Sequence, residues 1–357
     1  RVYIFSAGPS MLPESVLKRA QSELLSFGSS GMSVMEMSHR SKVYGEIFAS
    51  VKEKLRNTLA VPETHEILLM QGGATAQFAA VALNLMGRTG SADYGVTGVF
   101  SGDAFNEAGK YGKPHVAASG EKSGFSEIPS QSEIQLSENP AYFHYCSNNT
   151  IYGTAWSYIP ETGGVPLVAD MSSDILTRPV DVSKYGVIFA GAQKNLAPAG
   201  LTIVIVRKDL AGSHLPITPQ MLEYQLMLNK DSMYNTPPCW CIYMLGLVLQ
   251  WAEDQGGLAA LEQRKRTKAA MLYDAIDSSR LFTCTAEPGS RSDMNVTFQT
   301  PTEELDAKFI AGAAERGLVT LKGHRLVGHM RASIYNAMPV EGVEALCDYI
   351  RAFDKEN

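Results

Sequence analysis

The stretch Tyr185-Gly-Val-Ile-Phe-Ala-Gly-Ala-Gln-Lys-Asn-Leu-Ala-Pro-Ala-Gly-Leu-Thr-Ile-Val-Ile-Val206 places a lysine between two apolar runs of strand length. Runs such as Val187 to Ala190 and Thr202 to Val206 do not alternate, so they read as strands buried on both faces. That is the pattern of a mostly parallel sheet covered by helices. Lys194 lies in the connection, in Gly191-Ala-Gln-Lys-Asn-Leu-Ala-Pro-Ala-Gly200, and the nearest other basic residues are Lys184 and Arg207 at the far ends of the runs. An ammonium in such surroundings is costly to keep charged, and desolvation lowers its pKa. A lysine of depressed pKa is a nucleophile toward aldehydes. Taken alone, Lys194 reads rather as a side chain reaching out of a short loop, and the rest of the chain reverses that preference.

Working outward, further strand-length runs lie at Glu66 to Met70, Ala141 to Tyr145 and Pro166 to Ala169. Helical patterns cover Pro13 to Ser26, Lys42 to Leu59, Ala76 to Met86 and Trp240 to Asp254. Strands that alternate with helices predict an α/β fold with a parallel sheet. Gln255-Gly256-Gly257 is a helix stop and the expected domain boundary. Beyond it come a charged helix, Leu258 to Ser278, and two period-two runs, Met294 to Phe298 and Arg331 to Tyr335. Helices at Thr302 to Arg316 and Val340 to Phe353 complete the tail. The expectation is a large α/β domain over 14–256 and a smaller α+β domain over 257–357, with residues 1–13 packing at the active site.

The 357 residues are 45% hydrophobic and 19% charged, with a net charge of −6, which supports sizeable cores and offers no basic face for nucleic acid. The cysteines Cys146, Cys239, Cys241, Cys284 and Cys347 are odd in number and scattered. They read as reduced thiols, and the expected location is the cytosol. The most apolar stretch, Trp240 to Trp251, is too short to span a bilayer, so no membrane association is expected.

Asp170 ends the run Pro166-Leu-Val-Ala-Asp170. A carboxylate at the carboxyl edge of a parallel strand points into the crevice where α/β sheets bind ligands, although a helix cap or an Asx turn over Met171-Ser-Ser explains it as well. Gln71-Gly-Gly-Ala-Thr-Ala-Gln-Phe78 joins a strand to a helix, and backbone N–H groups there can converge on a phosphate. An aldehyde-reactive lysine, an anion for a pyridine nitrogen and a phosphate cradle together suit pyridoxal phosphate. The chain has no G-x-G spacing, no GxxxxGK[ST] and no second His at helical spacing after His65-Glu66, so dinucleotide, P-loop and zincin chemistries are excluded. His39-Arg40, His324-Arg325 and Arg331 supply donors for a small dianion, and Arg331 begins an alternating strand.

The motifs Phe5-Ser-Ala-Gly-Pro9 with Leu12-Pro13, Ser33-Val-Met-Glu-Met-Ser-His-Arg40, Gly191-Ala-Gln-Lys-Asn195, Asn235-Thr-Pro-Pro238 and Met330-Arg-Ala-Ser-Ile-Tyr-Asn-Ala337 resemble, in order and over nearly the whole chain, the phosphoserine aminotransferases. That family belongs to the class V group of fold-type-I pyridoxal-phosphate enzymes. The resemblance implies that Lys194 carries the cofactor covalently and that Asp170 contacts its ring nitrogen. It places Thr150 near the ring hydroxyl, and Gln193 and the amides of Ala74 and Thr75 on the phosphate. Asn235 and Thr236 would reach that phosphate from a second subunit, so a homodimer is implied. Arg331 would hold the substrate α-carboxylate, and His39, Arg40, His324 and Arg325 the phosphate or side-chain carboxylate. The implied reaction is transamination between L-glutamate and 3-phosphohydroxypyruvate in serine biosynthesis; 3-hydroxy-2-oxo-4-phosphooxybutanoate, in vitamin B6 biosynthesis, is a further candidate substrate.

Two positions depart from the family pattern. Phe100 stands where the family usually stacks a Trp on the cofactor ring, offering less area and no N–H donor. Thr75 stands where some members carry an Arg for the substrate phosphate. Three other readings share parts of this pattern. A cysteine lyase needs a reactive Cys in an electropositive setting, which none of the five shows. A transaminase of unphosphorylated acids needs no phosphate grip. A protein that binds the cofactor without turnover needs neither Lys194 nor Asp170.

Overall fold

The computed structural model describes residues 1–357. In chain order the elements are β1 (Tyr3–Ile4), α1 (Glu14–Ser22), α2 (Lys42–Thr58), β2 (His65–Met70), α3 (Gly73–Leu85), β3 (Ser91–Val96), α4 (Val99–Ala108), β4 (Lys113–Ser119) and β5 (Phe143–Cys146). A short hairpin, β6 (Asn148–Asn149) and β7 (Thr154–Ala155), leads to β8 (Leu167–Asp170), β9 (Val187–Gly191), β10 (Thr202–Arg207), α5 (Tyr224–Asn229) and α6 (Cys239–Asp254). After the turn at Gly256 come α7 (Gly257–Asp277), β11 (Thr283–Cys284), β12 (Asn295–Gln299), α8 (Glu303–Glu315), β13 (Leu318–Val319), β14 (Met330–Ser333) and α9 (Val340–Glu356).

One seven-stranded sheet, in the order β2-β10-β9-β8-β5-β3-β4, carries the large lobe. Its pairs are parallel except those of β10, which is antiparallel to both neighbours. The two runs that flank Lys194 are therefore hydrogen-bonded to each other. Their unbroken apolar character has a simple cause, since both sheet faces are covered. Ile188, Ala190, Ile203 and Ile205 pack into the core beneath α1, α2 and α6. Val187, Phe189, Val204 and Val206 enter a second core beneath α3, α4 and α5. Burying each such side chain stabilises the fold by roughly 1.5–3 kcal/mol.

A consequence of this topology is that the carboxyl ends of β2, β9, β8, β5 and β3 open onto one edge of the sheet, where β10 begins. That edge is the ligand crevice of open α/β sheets.

The smaller lobe has a three-stranded antiparallel sheet, β11-β12-β14, as the period-two runs predict. Its core gathers Phe5, Phe282, Phe298, Phe309 and Phe353. β1 pairs in parallel with β13, so the first residues of the chain belong to this lobe.

Several elements differ from expectation. β3 and β4 lie in the main sheet although their sequences do not read as strands. Asp93 and Gly95 interrupt β3, and β4 is a largely exposed edge strand with Lys113, Pro114 and His115. Asp93 is tolerated inside because its carboxylate accepts from Ser137 N–H (2.8 Å) and Oγ (2.7 Å). Helix α1 stops at Ser22 rather than Ser26, and α3 starts three residues earlier than its apolar pattern, at Gly73.

Candidate active site

Lys194 projects from the β9–β10 connection. Ala192 N–H donates to Leu201 O (3.0 Å) to close that connection, and the Ser10 hydroxyl donates to the Lys194 carbonyl. The next residue, Asn195, is buried and anchors the turn. Its Nδ2 donates to Ser173 O (3.2 Å), and its Oδ1 accepts from Asn336 N–H (3.1 Å). With its backbone held, the half-buried Lys194 side chain reaches the crevice, where Nζ donates to Thr150 Oγ1 at 2.7 Å. The same Nζ lies 5.4 Å from the Phe100 ring centroid.

Asp170 is the last residue of β8 and is buried. Burial pushes its carboxyl above the usual carboxylate range, and the Ser172 hydrogen bonds and the Lys194 charge oppose that shift. Oδ1 accepts from Ser172 N–H (2.9 Å) and Ser172 Oγ (2.6 Å), and Ser172 Oγ in turn accepts from Gly191 N–H (3.0 Å). Ser172 thus ties the end of β8 to the end of β9 and fixes the carboxylate against the Lys194 turn. The Asx turn anticipated over Met171-Ser-Ser is present, and it orients the carboxylate without consuming it: Oδ2 has no donor from any protein group.

Gly72 precedes α3 in the left-handed region, at φ 94°, with no side-chain cap on the helix. A Cβ at Gly72 would sit 2.5 Å from Ala76 Cβ, so the chain can enter α3 here only through glycine. The first N–H groups of an α-helix have no intrahelical partner. Those of Ala74 and Thr75 are therefore left at the helix start without an intrahelical acceptor or side-chain cap.

The remaining predicted residues fall into three places. Gln193 adjoins Lys194, and its carbonyl accepts from Ser10 N–H at 2.9 Å. Arg331, on β14, reaches across the lobes to donate from Nη1 to Thr150 O (3.2 Å), which brings a small-lobe guanidinium to Lys194's own hydrogen-bond partner. His324 shares with Arg331 a cavity of about 190 Å³ between the lobes; burial first, then Arg331 and Arg325, push its imidazole below the usual range. Arg325, His39 and Arg40 make no side-chain hydrogen bond or ion pair, and His39 and Arg40 stand just before α2, which Ser41 caps. Asn235 and Thr236 lie in the loop before α6, where Thr236 O accepts from Gln71 Nε2 (3.4 Å) near the start of α3.

Sequence reading missed Ser172, Asn195 and Asn336 as supports. The Asp-x-Ser spacing was a visible signal for the first, but nothing local pairs Asn195 with a residue 141 positions away.

The residues fit pyridoxal phosphate, with an amine, a free carboxylate oxygen opposite, and uncapped helix N–H groups for the phosphate. The comparisons agree. The family profile described as Aminotransferase class-V matches residues 2–346. A phosphoserine aminotransferase of Paraburkholderia phymatum is 52% identical over 356 residues, covering 99% of each chain. The structure of the phosphoserine aminotransferase from Bacillus circulans subsp. alkalophilus superposes with a TM-score of 0.98 at 46% identity, covering 100% of this chain and 99% of that one. A phosphoserine aminotransferase studied for radiation damage of its Schiff base gives 0.98 at 48% identity, with the same coverage. The chain belongs to the phosphoserine aminotransferase family of class-V, pyridoxal-phosphate-dependent transaminases.

Proposed function

We propose that the chain transaminates 3-phosphohydroxypyruvate with L-glutamate, giving O-phospho-L-serine and 2-oxoglutarate, and that it does so as a homodimer with shared sites. The observation that carries the reading is Lys194 Nζ at 2.7 Å from Thr150, with Asp170 fixed by Ser172 at the neighbouring strand end. In this reading residues 14–256 hold the cofactor and supply His39 and Arg40, and residues 257–357 carry the other substrate anchors, with residues 1–13 closing the site.

When bound, pyridoxal phosphate supplies an electron sink for the bond broken at the substrate Cα. Lys194 is its attachment point. Asp170 Oδ2 would accept from its ring nitrogen, Thr150 and Gln193 would help hold it, and the Ala74 and Thr75 N–H groups would take its phosphate. Phe100 lends a ring face. The Lys194 amine would be the general base that takes the proton from the substrate Cα, and the acid that holds it for return. Arg331 pairs with the α-carboxylate in a fork that orients Cα toward that amine. His324 and Arg325, with His39 and Arg40, take the second anionic group.

Support for the dimer comes from the surface. Leu25 is 86% exposed and Met35 56%, on the α1–α2 connection that also carries His39 and Arg40, and Tyr234, which adjoins Asn235 and Thr236, is exposed as well. Large apolar side chains grouped on loops beside candidate site residues suit coverage by a second copy.

The test has two arms. Lys194→Ala abolishes the visible absorbance of bound cofactor and all turnover; transamination retained in this variant overturns the assignment. Mixing Lys194→Ala with Asn235→Ala restores about a quarter of wild-type activity if the site is shared across a symmetric dimer, and none if both residues serve the same subunit. Rates with phosphorylated and unphosphorylated keto acids, compared in the wild type, decide the acceptor.

A further inference from the structure

We propose that Lys268 is a positioning residue, whose ammonium, closed over the turn after β14, sets the spacing between Arg331 on the small lobe and Lys194 on the large lobe. The inference rests on the reading of Arg331 as the carboxylate anchor.

Lys268 lies on α7 and is 1% exposed. Its Nζ donates to three backbone carbonyls, Ile334 O (2.9 Å), Tyr335 O (2.7 Å) and Met338 O (2.9 Å). No carboxylate pairs with it. Three acceptors match the three N–H donors of an ammonium, and a neutral amine could serve only two. Burial, with Arg264 nearby, pushes its pKa down to about 7, while the carbonyl cage favours the charged form. Burying an ammonium without a counter-ion is costly, and here that cost is offset only by the three carbonyls it satisfies, which an apolar side chain of similar length would leave bare. What the ammonium does, and an apolar group cannot, is gather three carbonyls of one turn onto one point.

That turn joins the two halves of the site. At its leading end is β14, with Arg331. Within it, Asn336 N–H donates to Asn195 Oδ1 (3.1 Å) and Asn336 Nδ2 to Leu176 O (2.8 Å), which pins the turn to the backbone beside Lys194. Tyr335 OH donates to Ala7 O (2.7 Å) and accepts from Asn295 Nδ2 (3.1 Å). The turn is thus the covalent path from Arg331 to the contact with Asn195, and Lys268 holds its curvature. Lys265, three residues earlier on the same helix, is 8% exposed and pairs with Asp293 (3.3 Å), but makes no hydrogen bond to the turn. It serves as the control for a merely structural buried lysine.

The experiment compares holoenzymes of Lys268→Met, which keeps the stem and loses the donors, Lys265→Met, and Arg331→Leu. The measurements are kcat and KM for both substrates, melting temperature, and the visible circular dichroism of the bound cofactor. For Lys268→Met we expect KM for the amino acid and the keto acid to rise together, about 10- to 100-fold, the scale of a misplacement of up to 1 Å. We also expect kcat to change far less, and the dichroism band to change. Lys265→Met loses melting temperature with unchanged KM and dichroism. A Lys268→Met enzyme that resembles Lys265→Met in all three readouts overturns the proposal. Should Lys268→Met not fold, Lys268→Gln, which keeps two donors, is read in the same way: raised KM with altered dichroism supports the proposal and unchanged values overturn it. Arg331→Leu separates the two layers. If it leaves KM unchanged, the anchor reading is wrong; if it raises KM while Lys268→Met does not, only the positioning role is wrong.

Discussion

Replacing Gly72 with alanine tests whether the entry to α3 is as constrained as its geometry states. Two costs add. At φ 94° an alanine occupies the left-handed region, which costs about 1–2 kcal/mol. Its Cβ would also lie 2.5 Å from Ala76 Cβ, a neighbour on the rigid first turn, and relief by backbone shift costs about 1–3 kcal/mol. Together these give about 2–5 kcal/mol. With an unfolding entropy of about 2.1 cal/mol/K per residue, that lowers the melting temperature of a chain this long by about 3–7 °C. Gly73→Ala is the matched control. It too has positive φ, 68°, but its Cβ meets nothing within 4 Å. It therefore bears only the conformational cost, about 1–2 kcal/mol or about 1–3 °C. Thermal melts of the two variants without cofactor isolate the clash. Melts with added pyridoxal phosphate then show whether the shifted helix start still holds the phosphate, because a ligand that binds the folded state raises its melting temperature by an amount that grows with the logarithm of its affinity. Equal melting temperatures for the two variants would refute the clash argument. An undiminished cofactor-induced rise in Gly72→Ala would refute the role of the helix start.

Three further outcomes are expected. Asp170→Asn lowers kcat by about 10²–10³-fold, since the acceptor for the ring nitrogen loses its charge, while melting temperature holds or rises because a buried carboxylate is gone; unchanged kcat would count against the assigned role. Phe100→Trp adds ring area over the site, and at about 0.5–1.5 kcal/mol for an aromatic contact it should slow cofactor loss on dialysis by about 2- to 10-fold, a result negated by equal or faster loss. His144 is fully buried on β5 with both ring nitrogens unpartnered, and burial pushes its pKa from 6.5 to about 3. Its folded pKa lies below its unfolded one, so between these values the unfolded chain binds a proton that the native state refuses. Stability is therefore intact above pH 6.5 and falls as pH drops toward 3, by about 1.4 kcal/mol per pH unit from this group. Denaturant unfolding of His144→Leu across pH 4–6.5 should show a shallower slope than wild type; parallel slopes would sink the assignment.

How far the sequence could be read depended on whether a signal was local. Lys194 and Asp170 stand at the ends of apolar runs whose composition reveals strands buried on both sides, so chemistry and placement were readable together. The helix break between α6 and α7 was readable from Gln255-Gly256-Gly257. β3 was not, because Asp93 breaks its apolar run and is held by hydrogen bonds from Ser137, a partner 44 residues away. β4 was not, because an edge strand with one face in water has no core pattern to display. The antiparallel pairing of β9 with β10 was also hidden, since a strand covered on both faces has the same composition in either orientation. Among the site's supports, Ser172 lies two residues from the carboxylate it holds, whereas the Asn195–Asn336 and Lys268 contacts join segments that only tertiary folding brings together. The individual positions of His39, Arg40, Asn235 and Thr236 follow from motif resemblance, because no hydrogen bond within a single chain links them to Lys194.

The pairing of β1 with β13 bears on how the molecule is made. Tyr3 sits opposite Leu318, about 315 residues later, so at about 5–20 residues per second a ribosome emits the partner roughly 15–60 s after the opening segment. Throughout that interval Phe5 has no complete small-lobe core to enter, although Ser10 can dock on Gln193 and Lys194 once they emerge. The large lobe can collapse around its sheet as it emerges, yet the pocket around the reactive amine gains its last wall only after β13 has been made. Nascent chains stalled before β13 should therefore be compact but unable to retain the vitamin.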